Sequence, residues 1–395
     1  MRPVAIIGVG LHPWGKFPQK PWTQMAVEAA KMAFQDGGVE WKDMQALFFG
    51  SQMWGGRPGI FGGNSFTEIM GETGLPVVNV NNACATGGSV IREAFISVAA
   101  GAYDMVLACA ADKSPEGFFP SLPVYYEEPT PSVDTIRWKM GLPNPVFWAL
   151  ELRKRMIRYG VTDVHLAKVK VAMSKWGALN PFARYKKVFT LEEVLNSPMV
   201  ADPLRLYEIC ATSDGAGAAV ICSLEKARQY TTKPILIAGA GLGTGLYGDP
   251  TTRLPSIAVT PKPNVPLISE SFMAAKAAYE QAGIGPEDID FLELPDNSSW
   301  HFLQYIETLG FAKEGESHRL LDENATEPGG RFPVCPSGGF SSFGEATVAQ
   351  GFMQVAEIVW QLRGEAGPRQ IKGVRVGMAE VYGAAGNNAA LILKK

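Results

Sequence analysis

A chain of 395 residues is longer than one ordinary hydrophobic core requires, which points to two domains or to two halves of a large one. With 46% hydrophobic and 19% charged residues it has the composition of a soluble globular protein, and a net charge of −3 gives no general attraction to nucleic acid or to an anionic membrane. The five cysteines are odd in number and form no CxxC pair, and the four histidines show no ligand spacing, which argues against a disulfide framework and against a metal site in this chain.

The N-terminus, MRPVAIIGVGLHPWG, holds a short apolar run ending in a Gly/Pro turn, so it predicts a first strand over 3–10 and not a signal peptide. No stretch approaches the ~18 apolar residues of a membrane span, and the expected location is the cytoplasm. Residues 29–49, AAKMAFQDGGVEWKDMQALFF, predict an amphipathic helix closed by a glycine, then an acidic turn and an apolar strand. The pattern returns at 274–294, AAKAAYEQAGIGPEDIDFLEL, at a constant offset of 245 with no gap. Each copy follows a strand that runs into a Gly-rich loop, PVAIIGVG at 3–10 and PILIAGAG at 234–241. The chain therefore reads as a tandem of β-α-β halves, 1–232 and 233–395, with largely parallel sheets covered by helices.

Within the first half, VVNVNNACATGGSVIREAFISVAAG predicts a strand at 77–80, a polar turn at Asn81–Asn82, and a helix ending near Gly101 with Cys84 at its head. Unpaired N–H groups and the helix dipole favour a thiolate there, the form that covalent catalysis needs. Gly87 and Gly88 permit a substrate or a second backbone to come close. A lone cysteine is commonly just a small buried residue, so the residues alone leave both roles open. The stretch 115–200, rich in Pro, aromatic and basic residues, reads as an insertion over the first half with helices near 145–159 and 163–177. Its aromatics Phe118, Phe119, Tyr125, Tyr126, Phe147 and Trp148, with the loop MWGGRPGIFGG, either line a roomy pocket or pack a core. VICSL at 220–224 predicts the strand that returns the chain to the first half. GAGLGTG at 239–245 fails the dinucleotide fingerprint because Thr244 takes its last required position. A helix is predicted over 345–363, the counterpart of the one behind Cys84.

Four motifs, NNACATGG (81–88), DPLRLYEICATSDGAGAAVI (202–221), ELPDNSS (293–299) and CPSGGFSSFGEA (335–346), together resemble the thiolase superfamily, with its sterol-carrier-protein-type branch nearest. The resemblance covers nearly the whole chain. It implies an α/β, duplicated α/β/α/β/α five-layered fold with an inserted loop domain, and it places the nucleophile on Cys84. It also implies an acyl-CoA substrate, coenzyme A as co-substrate, no metal in this chain, and a homodimer core. Three family positions depart from the pattern. Pro295-Asp296-Asn297 stands where a His motif is usual, Gly344-Glu345-Ala346 where a second His is usual, and Tyr382 at or beside a second Cys. These losses resemble atypical thiolases that act with a small zinc-ribbon/OB-fold partner subunit.

The implied reaction is cleavage of a bulky or aromatic 3-oxoacyl-CoA by coenzyme A through a Cys84 acyl-enzyme, with benzoylsuccinyl-CoA as the specific expectation. A retro-aldolase cleaving a 3-hydroxyacyl-CoA, such as a steroid side-chain thioester, is the alternative. It would use Tyr247, Asp296, Glu345 and Tyr382 and has no need of a nucleophilic thiol. A non-catalytic acyl-CoA or lipid-binding protein is the third reading.

At the start of its predicted helix, Glu345 is placed to accept a thiol proton with support from the helix dipole, or is a plain helix-start residue. An ordinary carboxylic acid of pKa ~4 suits a thiol poorly unless burial raises it. Asn297 offers a donor to a thioester oxygen or to a water, while Asp296-Asn297 is equally a turn-forming pair. Tyr382 is a proton donor or an aromatic packed beneath the site, and Tyr247 a weaker counterpart. Cys335 stands near the pocket or packs in the interior. Arg153 and Arg155, in a basic run with Lys154 and Arg158, are candidates for the phosphates of coenzyme A, with a solvated helix face as the other reading.

Overall fold

The protein is described by a computed structural model covering residues 2–50, 61–114, 144–249, 264–383 and 386–395. The first half runs β1 (Val4–Leu11), α1 (Trp22–Gly37), β2 (Leu47–Gly50), α2 (Gly62–Met70), β3 (Val77–Val80), α3 (Thr86–Ala99) and β4 (Met105–Lys113). The insertion contributes α4 (Asn144–Tyr159), α5 (Asp163–Ala178) and a hairpin of β5 (Met199–Ala201) and β6 (Leu204–Arg205), and β7 (Asp214–Ser223) then returns to the half. The second half runs β8 (Ile235–Thr244), α6 (Ser269–Ala282), β9 (Phe291–Glu293), α7 (Ser299–Thr308), α8 (Gln350–Arg363), β10 (Val376–Val381) and β11 (Asn387–Lys394).

The strands lie in the order β3-β2-β4-β7-β1-β8-β11-β10-β9. Read outward from the middle, β1-β7-β4-β2 on one side is matched by β8-β11-β10-β9 on the other, so the repeat seen in sequence is a repeat of topology. The expected parallel sheets need a correction. β2 pairs in parallel with β3 and β4, and β9 with β10, but β7 and β11 run antiparallel to both of their neighbours. The reason for β11 is length: residues 382–386 are too few for a crossover, so the chain must reverse. The halves join through an antiparallel contact of β1 with β8 at Ala5–Leu236 and Ile6–Ile235.

Alternation of side chains along each strand separates three apolar layers. On β4, Leu107, Cys109 and Ala111 face a layer shared with α1, while Val106, Ala108 and Ala110 face a central one. On β11, Leu391 and Leu393 share that central layer, and Ala390 and Ile392 face α6 and α7. The central layer holds α3 and α8, packed between strands of both halves. Helix, one half of the sheet, helix pair, the other half of the sheet and helix make the five layers of the expected fold.

Glycine fixes two approaches. A Cβ on Gly10 would collide with the Ala29 carbonyl of α1, and one on Gly241 with the Ala274 carbonyl of α6, so the strand–helix contact is the same in both copies. Gly87 of α3 lies against the Val348 carbonyl and the Gly351 backbone of α8, so it admits a second backbone, whereas a Cβ on Gly88 would meet the Ala389 and Val381 side chains of the sheet. Among the described residues no helix is long and apolar enough to cross a membrane.

Candidate active site

The nucleophile candidate comes from the junction of β3 and α3. Ala83 takes a left-handed conformation, φ 45°, which turns the chain sharply ahead of Cys84. The Asn82 backbone N–H donates to the Thr86 hydroxyl at 2.8 Å, and the Asn82 amide donates to Ser89 Oγ at 2.8 Å. The Asn387 amide of β11 donates to Asn82 Oδ1, tying this turn to the other half. Cys84, half-buried, stands two residues before the first residue of α3. That position lies just ahead of the N-cap, Ala85, at the end of the helix where the dipole is positive.

Glu345 requires a correction. The helix predicted from 345 begins at Gln350, so Glu345 is not a helix-start residue and the dipole argument does not apply to it. It sits in an extended segment whose N–H donates to the Ala211 carbonyl at 2.8 Å, and whose carbonyl accepts from Ser213 at 2.8 Å. Its carboxyl group is buried, accepting from the Asn297 amide at 2.6 Å on Oε1 and from the Cys210 thiol at 2.8 Å on Oε2. Burial raises its pKa to about 7, with Asp112 and Asp296 adding to the rise and the two hydrogen bonds offsetting part of it. The mismatch between an ordinary carboxylate and a thiol is therefore reduced by burial, without help from the helix.

Asn297 is spent largely on this arrangement. Its backbone carbonyl accepts from the Cys210 N–H at 2.9 Å while its amide donates to Glu345, so it clamps both residues. The buried Asn297 Oδ1 has no protein partner. Asp296 accepts from the backbone N–H groups of Phe340 and, at 3.2 Å, Ser341, and so pins the π-helical turn at 339–343 that leads to Glu345. Burial raises it to about 6. The Lys170 ammonium, lowered to about 8 by burial, donates to the Ser341 carbonyl and to Ser342 Oγ at 3.1 Å on the same turn.

Tyr382 follows β10, its ring 5.5 Å from the buried His301 ring and 6.3 Å from Tyr305, and its backbone carbonyl accepts from Gln350. Tyr247 is 79% exposed, on the connection after β8. Cys335 is buried, its sulfur against the Leu294 backbone at 3.3 Å, which is the packing reading. Arg155 is also a correction: it lies inside, paired with Glu307 and bonded to Gln304 and Ser317, and is no open phosphate ligand. Arg153 is paired with Asp202 at the surface, and Lys154 with the buried Glu151. Phe147 and Trp148 are buried against Trp300 and His301, a core role. Phe118, Phe119, Tyr125, Tyr126 and most of the MWGGRPGIFGG loop lie outside the described residues.

Cys210 is the residue that the sequence reading passed over. Its thiol is held well above the ordinary range, by burial first and then by Glu345, and a charge on Cys84 bears on it too, so the two sulfurs share one site. One signal was available: Cys84-Ala85-Thr86 recurs as Cys210-Ala211-Thr212. Asp112, at the end of β4, bonds to Thr347 and adds a further buried acid beside Glu345. Among the described residues no group of three or more His, Cys, Asp or Glu side chains is arranged to hold a metal.

Comparison with known proteins gives the site its setting. A family profile for thiolase C-terminal domain-like sequences matches residues 258–395. The acetyl-CoA acetyltransferase of Methanothermobacter thermautotrophicus is 34% identical over 99% of this chain and 99% of its own. The benzoylsuccinyl-CoA thiolase subunit BbsB of Thauera aromatica is 31% identical over 97% of this chain and 95% of its own. Among solved structures, the Ltp2-ChsH2(DUF35) aldolase superposes with a TM-score of 0.83 at 27% identity, covering 99% of this chain and 97% of that one. Relatives of this identity and coverage, on a duplicated five-layered fold, show that the chain belongs to the thiolase family of acyltransferases.

Proposed function

We propose that this chain cleaves a 3-oxoacyl-CoA with coenzyme A, through an acyl group carried on Cys84. The observation that carries the reading is a buried carboxyl group of pKa about 7 bonded to the Cys210 thiol, a sulfur that also feels a charge on Cys84, whose own thiol follows a left-handed turn ahead of α3. In this reading the Cys84 proton passes to Glu345, and the thiolate attacks the ketone carbon. The bond to the neighbouring carbon breaks, and coenzyme A then takes the acyl group from Cys84. Asn297 and Asp296 keep the carboxyl group and its turn in place, and Tyr382 closes the floor of the site beside His301.

The acyl group proposed is bulky or aromatic, with benzoylsuccinyl-CoA as the first substrate to test. Its support is the 31% identity to BbsB over nearly the full length of both chains. A small partner subunit of zinc-ribbon/OB-fold type belongs to the proposal, because BbsB is named as a subunit and the aldolase structure is a complex with a DUF35 protein. A homodimer is proposed as well. Among the described residues β3 is an edge strand, with Val78 exposed. A cytoplasmic location goes with this chemistry.

The test is an intact-mass measurement after mixing with benzoylsuccinyl-CoA or acetoacetyl-CoA. An acyl adduct on Cys84, absent from Cys84→Ala, supports thiolysis. The second reading, retro-aldol cleavage, is favoured by the likeness to the aldolase complex. It predicts cleavage of a 3-hydroxyacyl-CoA that survives Cys84→Ala, and that result would replace the first reading.

A further inference from the structure

Breaking the carbon–carbon bond leaves an electron pair on the α-carbon of the departing thioester, and some group must deliver a proton to it. Glu345 is badly placed to do so itself. It is 2% exposed and its two oxygens accept from Asn297 and Cys210, so it stands behind the Cys210 sulfur from the substrate carbon, while each oxygen keeps a second lone pair for a thiol proton. The chain of hydrogen bonds Asn297–Glu345–Cys210 ends at the sulfur, and Cys210 is the half-buried member of the three. That sulfur shares its surroundings with Cys84, where the substrate must be bound for the nucleophile to reach it. Tyr382, the residue nearest the usual position of a second thiol, turns its ring toward His301 and Tyr305.

We propose that Cys210 is the proton donor to the leaving carbon, and that Glu345 resupplies its proton along the hydrogen bond that joins them. The proposal rests on the thiolysis reading and assigns a second catalytic residue within it. The backbone favours the same role. Cys210 donates its N–H to the Asn297 carbonyl and the next N–H, of Ala211, goes to Phe340, so the thiol is fixed on both sides of the chain. A thiol raised well above its ordinary pKa stays protonated at neutral pH, which is the state a donor needs.

The protons balance over one turnover. Glu345 takes the Cys84 proton, and the thiolate adds to the ketone carbon. Collapse of the adduct breaks the bond to the α-carbon, whose electron pair takes the proton of Cys210. Glu345 returns a proton to the Cys210 sulfur. Incoming coenzyme A gives its thiol proton to Glu345 as it attacks the acyl group, and Cys84 recovers that proton as it leaves.

Two reactions separate the roles. Exchange of labelled coenzyme A into acetyl-CoA or benzoyl-CoA needs Cys84 and its base but protonates no carbon. Cleavage of acetoacetyl-CoA or benzoylsuccinyl-CoA needs both steps. Cys210→Ala and Cys210→Ser should keep exchange within about tenfold of the parent and lose ~10²- to 10⁴-fold in cleavage. Serine retains a hydroxyl for Glu345 but is a far weaker acid than a thiol. Cleavage restored in Cys210→Ser would therefore reduce Cys210 to a holder of Glu345 and overturn the proposal. Exchange and cleavage falling by the same factor in both variants would do so as well, as would cleavage at the parental rate. Exchange that is absent from the parent protein defeats the thiolysis reading itself, and the proposal with it.

Discussion

The burial of Glu345 makes one substitution predict two opposite effects. Its carboxyl pKa is raised from an ordinary 4.5 to about 7, burial being the main cause. In the unfolded chain the group loses its proton near 4.5, while in the fold it keeps it to about 7. Between those values the folded state binds more protons, so the group withdraws stability as pH rises through the window. The full cost is present above pH 7 and absent below 4.5. A shift of this size corresponds to on the order of 3 kcal/mol at ~1.4 kcal/mol per unit. Glu345→Gln removes the titration and can still accept from Asn297. Denaturant unfolding should show the variant gaining on its parent by up to about 3 kcal/mol between pH 4.5 and 8. Asp112 and Asp296, which burial also raises, titrate in both proteins, so the comparison at each pH largely cancels them. Acylation of Cys84 should meanwhile fall by ~10²- to 10⁴-fold with little change in substrate affinity. The parental rise in rate through pH about 7, as Glu345 loses its proton, should vanish with it. An unchanged acylation rate would refute the base. A stability difference that does not grow with pH would refute the burial argument on which its basicity depends.

Two further outcomes test the assignments around the site. Arg155→Met leaves Glu307 buried without its cation, and unfolding should show a loss of about 3–5 kcal/mol, while the affinity of the folded fraction for coenzyme A stays at the parental value. Gly351→Ala sets a methyl group 2.6 Å from the Gly88 nitrogen at the crossing of α3 and α8, and the denaturation midpoint should fall by the equivalent of about 1–3 kcal/mol.

The fold was legible because its strongest signals are local and doubled. The match of 29–49 with 274–294 became two helices lying on two equivalent strands, down to the glycines that admit them. The helices of the insertion lie where their spacing put them, at Asn144–Tyr159 and Asp163–Ala178. Reversal of β7 and β11 was not legible, because a strand's residues do not record the direction of its neighbours. Cys84 could be singled out as a candidate because it stands in a turn followed by a glycine-rich helix. Cys210 could not be weighed, since its meaning depends on a contact with Glu345, 135 positions away. The error at Arg155 has the same origin. Four basic residues in a run look like one solvated face, yet this one turns inward to a glutamate on another helix.

The departures from the family pattern acquire a common physical sense in the structure. A histidine needs little help to exchange a proton near neutrality, whereas a glutamate does so only while water is kept from it. The proposed site meets that condition. Glu345 comes from the connection before α8, and Cys84 from the equivalent connection before α3. The glycine contact of these helices brings the two connections together between the halves. Asp296 and Lys170 then hold the turn at 339–343 from both sides, and Asn297 clamps the carboxyl group to Cys210. Each of these contacts helps to exclude solvent from one oxygen pair. On the proposed reading, basicity at this site is a property of packing as much as of residue type: a looser turn would rehydrate Glu345 and return it toward an ordinary carboxylate. The buried side chains in place of the usual helpers are, in this sense, one device, and Asp296 belongs to it as the anchor of its cover.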